Sequence, residues 1–436
     1  MSQSVKTSYV ARLTLFDAAM VVVGGIIGAG IFLNPAIVAQ RVGTPALVVS
    51  AWAIGGVIAL MGALCYAELG ARRPHAGGGY VYLHEAFGPM PAFLYGWTLL
   101  LVASTGGIAA VAVTFASYAS TLLHLGDGVV KPLAVVTIAV LTAINYAGVR
   151  PGSITVNVFT VLKLAALLLL IVTGLALTEA LPAGAVAPPP PESPFMAMGI
   201  ALVPVIFAYS GWHHVNEVAA EVSQPQRTLP RALLLGMALA AACYVLANLA
   251  YLSALGAAGL AASKAPASDV MRVVWGDTGS TLIAAGIACS TFGFVNLAIL
   301  ASSRVYQAMA ENGVFFRSAA TLHPRYRTPA LALLVQGAWA IVLTLSGTYA
   351  QLLDYVVFGD ALSFAAVVAT VFVYRRRKPG APFLTPGYPL LPGLFVLACL
   401  YVLASTVIAN LYNAVIGALL ILTGVPVYWL WRRVSR

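Results

Sequence analysis

Charge is what this chain has least of. Only 8% of its 436 residues are Asp, Glu, Lys or Arg, against about a quarter in soluble domains. So few charges cannot cover a water-facing surface, and 61% of the residues are hydrophobic. A soluble globular fold is excluded. Cysteine is almost as scarce. Cys65, Cys243, Cys289 and Cys399 all stand inside apolar stretches with no CxxC spacing, so no disulfide framework or cysteine metal site is expected. No HExxH, paired-acid DxxD or Ser/His/Asp grouping stands in a loop, which leaves a membrane-embedded enzyme as a distant reading. The glycines at 77–79 are followed by no Gly-Lys-Ser/Thr, so they do not read as a phosphate cradle, and a bent, partly buried loop is expected over 70–90. The first twelve residues are polar and no small-residue cleavage site precedes the first apolar run, so no cleavable signal is expected.

What the chain has is long apolar runs. They fall near 15–38, 45–68, 91–123, 132–149, 154–176, 195–219, 230–256, 280–309, 329–347, 350–374, 389–410 and 413–431. A crossing needs ~20 apolar residues, so twelve transmembrane helices are expected in one integral membrane domain. Of the 23 basic residues, all but Arg41, Lys131, Lys264, Arg272 and the mid-span Lys163 then share one side of the membrane with both termini. The positive-inside rule makes that side the cytoplasm. The net charge of +10 is thus a topology signal rather than a sign of nucleic-acid binding. The outer stretch 178–194, with Pro188 to Pro191, reads as an extended connector.

Span 1 carries Gly24, Gly25, Gly28 and Gly30. Each glycine costs a helix interior about 1 kcal/mol against alanine. Close packing of a neighbouring helix explains such a cluster, and so does a helix that unwinds to present backbone to a ligand. Span 6 has its own punctuation: Pro204, Ser210, Gly211, His213, His214, Asn216 and Glu217 are a heavy polar load at membrane depth. Spans 1 and 6 each open a set of five, over 15–176 and 195–374, with two more spans over 389–431. Interrupted helices at corresponding places in two such halves point to an inverted-repeat transporter, with both helices unwound at mid-membrane. Unwinding leaves N–H groups bare at one helix start, which attract a carboxylate, and carbonyls bare at the other end, which attract an ammonium. An α-amino acid offers both. Gly28, Ala29 and Gly30 would hold its carboxylate, and the carbonyls of Ile26 and of Phe207, Ala208, Tyr209 and Ser210 its ammonium.

Gly28-Ala29-Gly30-Ile31-Phe32 and Phe207-Ala208-Tyr209-Ser210-Gly211-Trp212 resemble the paired first- and sixth-helix motifs of amino acid–polyamine–organocation transporters, in particular the L-type amino acid transporter branch. Ser290 to Gly293 with Val295-Asn296, His323-Pro324 with Thr328-Pro329, and Gly424 to Tyr428 extend the likeness over nearly the whole chain. The resemblance implies an all-α, leucine-transporter-like 5+5 inverted repeat with two additional C-terminal helices. It implies substrate contacts at Ile26, Gly28, Ala29, Gly30, Phe207, Ala208 and Ser210, with Phe207 as a gate. Ala29 replaces the usual Ser, and His213 stands where L-type members commonly have Asn. The loop near 124–131 lacks the cysteine that animal members use to bond a glycoprotein, so no covalent heavy-chain partner is expected. Homo-oligomerisation is left open.

Lys163 is a mid-span cation, which either snorkels to the interface or braces the span 1 break. Sodium-independent members of the family resemble it here, with a Lys in the place of a sodium ion. Glu217 is either a structural ion-pair partner or a proton-coupling acid. At most one of the adjacent helical residues His213 and His214 is expected to face the pathway, so no His-His metal site is expected. Asp360 is an intramembrane acid with no obvious partner, and Asp17 reads as the cap of span 1. Thr105 and Asn296 are candidate selectivity residues. No clear acid stands in the pocket motif, which favours neutral L-amino acids over cationic amino acids or polyamines. The function expected is a cofactor-free secondary transporter of the cell membrane, working by sodium-independent exchange or proton symport. A channel would need a repeated filter, which is missing.

Overall fold

A computed structural model describes residues 9, 11–176, 193–347 and 349–434. Lys6, Arg436 and the connector through Pro191 lie outside these residues. All regular structure among them is helical, apart from a single bridge between Leu13 and Val222. Ten helices are long and apolar enough to cross a membrane, and Pro194–Tyr209 and Ala330–Ser346 are shorter apolar helices.

The helices start where local chemistry tells them to. Thr14 and Asp17 form a reciprocal capping box at the start of α1 (Leu15–Ile26), and Asn157 donates to the same Asp17 carboxylate over 2.6 Å. After an interruption come α2 (Gly30–Val42) and α3 (Pro45–Arg72), the latter capped by Thr44 with proline in its first turn. The stretch at 70–90 is more ordered than a bent loop. Gly77 and Gly78 turn the chain at φ +100° and +46°, and α4 (Gly79–Phe87) follows. It is helical because Tyr80, Tyr82, Leu83 and Ala86 give it a face to bury against the bundle.

Span 3 is α5 (Pro89–Thr98), a widened π turn over Leu99–Ala103, and α6 (Ser104–Leu122). Then come α7 (Val130–Tyr146), α8 (Val149–Ala176), α9 (Pro194–Tyr209), the single turn α10 (His214–Glu217) and α11 (Pro225–Ala262). The remaining helices are α12 (Pro266–Glu311), α13 (Ala330–Ser346), α14 (Tyr349–Arg377), α15 (Leu390–Ala409), α16 (Leu411–Leu422) and α17 (Gly424–Val434). Spans 7 and 8 outrun their apolar stretches. Positive-φ glycines, Gly256 and Gly276, kink α11 and α12 so that short extra segments fold over one end of the bundle.

Around the two interrupted helices, α11 packs on α3 and α1, α12 packs on α8 and α6, and α14 packs on α15 and α6. The opposite end of the bundle gathers the charges. Glu68 is fully buried and takes two bonds of 2.8 Å from Arg375 and two more, of 2.9 and 2.7 Å, from Arg72. Arg304, also buried, pairs with Glu221 at 3.0 Å.

Candidate functional site

The two interruptions meet. Helix α1 stops at Ile26; Ile27 is extended, and the Gly28 N–H folds back onto the Ile26 carbonyl at 2.9 Å. Helix α2 restarts at Gly30 with Ala29 before it, which gives no side-chain cap. The N–H groups of Ala29 and Gly30 take no backbone partner among the described residues, as first-turn amides do not. Helix α9 stops at Tyr209, Ser210 is extended, and Gly211 turns the chain at φ +100°. Glycine is required at the crossing itself. A Cβ on Gly25 would strike the Gly211 carbonyl, and one on Gly211 would strike that of Gly25. One turn on, a Cβ on Gly30 would lie 2.6 Å from the Ala208 Cα.

The carbonyls freed by these breaks have partners. Lys163 Nζ donates to the Gly24 carbonyl at 2.9 Å and to the Ile27 carbonyl at 2.7 Å. Ser290 Oγ adds a bond of 3.2 Å to Ile27. Lys163 is buried rather than snorkelled. The Tyr244 hydroxyl lies 2.8 Å from the Ile26 carbonyl and 3.1 Å from that of Ala208, so one group tethers both breaks. Tyr251, two turns along α11, donates to the Ile31 carbonyl at 3.1 Å.

A cavity of about 30 Å³ sits where the breaks meet, the size of a water molecule or two. Ile26, Gly28, Ala29, Gly30, Phe207, Ala208, Ser210 and His213 all line it, with Ser104, Gly107, Phe294, Val356 and Asp360 from the surrounding helices. Several expected residues stand elsewhere. Tyr209 points away to α3, where its hydroxyl reaches the Trp52 carbonyl at 3.1 Å and its ring packs on Trp52. Thr105 turns its hydroxyl back to the Leu100 carbonyl at 2.6 Å within the π turn, and its neighbours Ser104 and Gly107 face the cavity in its stead. Asn296 pairs with Asn145 at 2.8 Å, holding α12 to α7. The Gly28 amide, counted as a carboxylate donor, is spent on Ile26.

The histidines also depart from expectation. Both line the cavity, because the chain around Gly211 to His213 is a turn and not a regular helix that would splay them apart. Their ring centroids are 4.5 Å apart. His214 Nδ1 lies 2.8 Å from Glu217 Oε2, and His213 Nε2 is 3.8 Å from Oε1. The three side chains are close enough together to hold an ion. Glu217 lies behind the histidines rather than on the cavity wall. Asp360, which had no partner in sequence, faces the cavity alongside Ser210. The pocket motif itself carries no clear acid, and Asp360 reaches the wall from α14. Tyr244 was missed altogether; its only signal is that it and Tyr251 stand seven residues apart on one helix face.

A second cavity, about 770 Å³, lies further along α2 and α6, past the Gly30 and Val111 that line the first. Its wall includes Leu33, Thr114, Tyr118, Asp269, Arg272 and Ala284. The charged end is shut. Leu13 is clasped by backbone bonds to Glu221 and Ser223. Tyr9 donates to Gln307 and lies under the Arg304 guanidinium, 5.5 Å from its ring centre.

A family model described as amino acid permease matches residues 13–431. The serine/threonine exchanger of Bacillus subtilis (strain 168) is 31% identical over 423 residues, covering 96% of each chain. The large neutral amino acids transporter small subunit 2 of Oryctolagus cuniculus is 33% identical over 428 residues, or 96% of this chain and 80% of that one. The human cystine/glutamate transporter is 31% identical over 436 residues, or 96% and 85%.

Proposed function

Because the chain belongs to the amino acid permease family, and so transports amino acids across a membrane rather than converting them, we propose that it binds its substrate in the cavity between the two interrupted helices and exchanges it across the membrane. The observation that carries this reading is the crossing at Gly25 and Gly211, which brings the start of α2 and the end of α9 to the wall of one cavity. The bare amides of Ala29 and Gly30, at the positive end of α2, receive the α-carboxylate. The carbonyls of Ile26 and Ala208, already tethered by Tyr244, keep a second lone pair for the ammonium. Phe207 closes over the bound substrate. The helices then form two five-helix repeats of opposite orientation, 15–176 and 195–374, followed by two helices over 389–431, in a cell membrane with both termini cytoplasmic.

In this arrangement the state described is the outward-facing one. The 770 Å³ cavity is the outer vestibule, and the Glu68 and Glu221 ion pairs close the inner end. Sodium independence follows from Lys163, whose ammonium already neutralises the carbonyls of the α1 break. The imidazole–carboxylate group of His213, His214 and Glu217 supports proton symport as a second mode. A covalent heavy chain has no cysteine to attach to near 124–131.

Purified protein in liposomes loaded with a mixture of amino acids tests the reading. Uptake of a labelled amino acid that depends on internal amino acid, and not on sodium, supports exchange. Uptake that needs no internal substrate and is driven by an inward proton gradient selects the second mode. No uptake or exchange of any amino acid contradicts both.

A further inference from the structure

Among the described residues Asp360 is the one acidic side chain on the wall of the substrate cavity, and no Lys or Arg lines that wall. Ser210, at the α9 break, stands on the same wall. His214 lies close enough to act on the Asp360 charge, but it is shared. His214 already has a carboxylate of its own, Glu217 at 2.8 Å, and His213 leans to the same Glu217. Two acids therefore face two imidazoles, with Glu217 bonded to one and near the other, and the acid left over is the one on the cavity wall. Lys163 is committed to the carbonyls of Gly24 and Ile27, behind the α1 break.

Beside the water-sized void the cavity wall leaves open space at one point. Gly107 of α6 lines the cavity, and nothing lies within 4 Å of where its Cβ would be. Ala103, Ser104 and Val356 complete a wall of small residues there. The α-carboxylate and α-ammonium are held at the helix breaks, so whatever extends toward Gly107 and Asp360 is the substrate's side chain.

We infer that Asp360 determines specificity, by drawing in amino acids whose side chain ends in a cation, an ammonium or a guanidinium. The buried carboxylate gains an opposite charge that the protein itself withholds, and a glutamate-like side chain meets repulsion. The inference rests on the transport reading above and goes beyond it in naming the side-chain class.

The test is competition in liposomes containing the full chain. Arginine, lysine, leucine, serine and glutamate are each offered against one labelled substrate that the wild type exchanges. The expected result is that arginine and lysine compete best and glutamate worst. In Asp360→Asn the ratio of arginine to leucine specificity falls at least tenfold, and in Asp360→Glu it recovers in part. A structural role would lower both substrates together and leave the ratio alone. Leucine, serine or glutamate outcompeting arginine and lysine in the wild type overturns the inference, and so does an unchanged ratio in Asp360→Asn. The wild-type ranking decides the matter even if the variants fail to fold. Failure of every amino acid to exchange would instead remove the transport reading beneath it.

Discussion

Lys163 and Ile27 are 136 residues apart, and the Lys163 ammonium donates to the Ile27 carbonyl over 2.7 Å. A second bond of 2.9 Å to Gly24 makes the contact a clamp across the end of α1. An interrupted helix in a membrane exposes carbonyls that lipid cannot satisfy, and each unpaired group costs several kcal/mol. The clamp makes the break tolerable while leaving the amides of Ala29 and Gly30 bare.

Replacing Lys163 with Met keeps bulk and removes the donor. Two buried carbonyls lose their partner, a penalty of about 1–3 kcal/mol for each group left unsatisfied, although Ser290 still serves Ile27. The expected outcome is at least a tenfold slower exchange by protein that remains monodisperse in detergent. Exchange at the wild-type rate would refute the bracing role.

Gly211→Ala attacks the crossing. The new Cβ meets the Gly25 carbonyl and the residue must hold φ +100°, a conformation that costs a non-glycine residue about 1–3 kcal/mol before any clash. Thermal unfolding in detergent should fall sharply and exchange should vanish. Gly107→Ala is the contrast, since its Cβ enters open space. It should unfold as the wild type does and change the substrate ranking instead.

Tyr244→Phe removes the hydroxyl that both breaks share. Two carbonyls lose one donor, so the breaks loosen together. The expected signature is a raised KM for substrate, roughly tenfold for each 1.4 kcal/mol of lost binding, with little change in unfolding temperature. An unchanged KM would place the site away from these carbonyls.

Glu221→Gln leaves the Arg304 guanidinium, 1% exposed, without its counter-charge. Breaking a buried pair from one side costs about 3–5 kcal/mol. The charged end should lose its closure, and the purified protein should unfold at a distinctly lower temperature. No change in unfolding would mean that this pair does not hold the end shut.

The breaks were legible because glycine and proline punctuate backbone directly: Gly28 to Gly30 and Ser210-Gly211 mark within a residue or two where α1 and α9 stop. Lys163 was legible because a mid-span cation needs a reason. Tyr209, Thr105 and Asn296 all stand off the cavity wall. The side on which a helical residue faces depends on helix phase, and the π turn at Leu99–Ala103 shifts that phase ahead of Thr105 without any mark in composition, as the turn after Tyr209 does for the residues that follow it. The same loss of phase brings His213 and His214 to one wall. Asp360 could be named in sequence but not located, since nothing local to α14 says that it meets Ser210 on α9. The helix at Gly79–Phe87 was hidden by the three glycines before it.

In the function proposed above, one cavity between two helix breaks binds an amino acid for transport. Counterflow of a labelled amino acid into liposomes containing the wild-type protein tests it most directly, with Gly211→Ala as the matched control. Accumulation should require unlabelled amino acid inside, persist without sodium and be abolished in the control. Accumulation equal in wild type, Gly211→Ala and protein-free liposomes would contradict the proposed function.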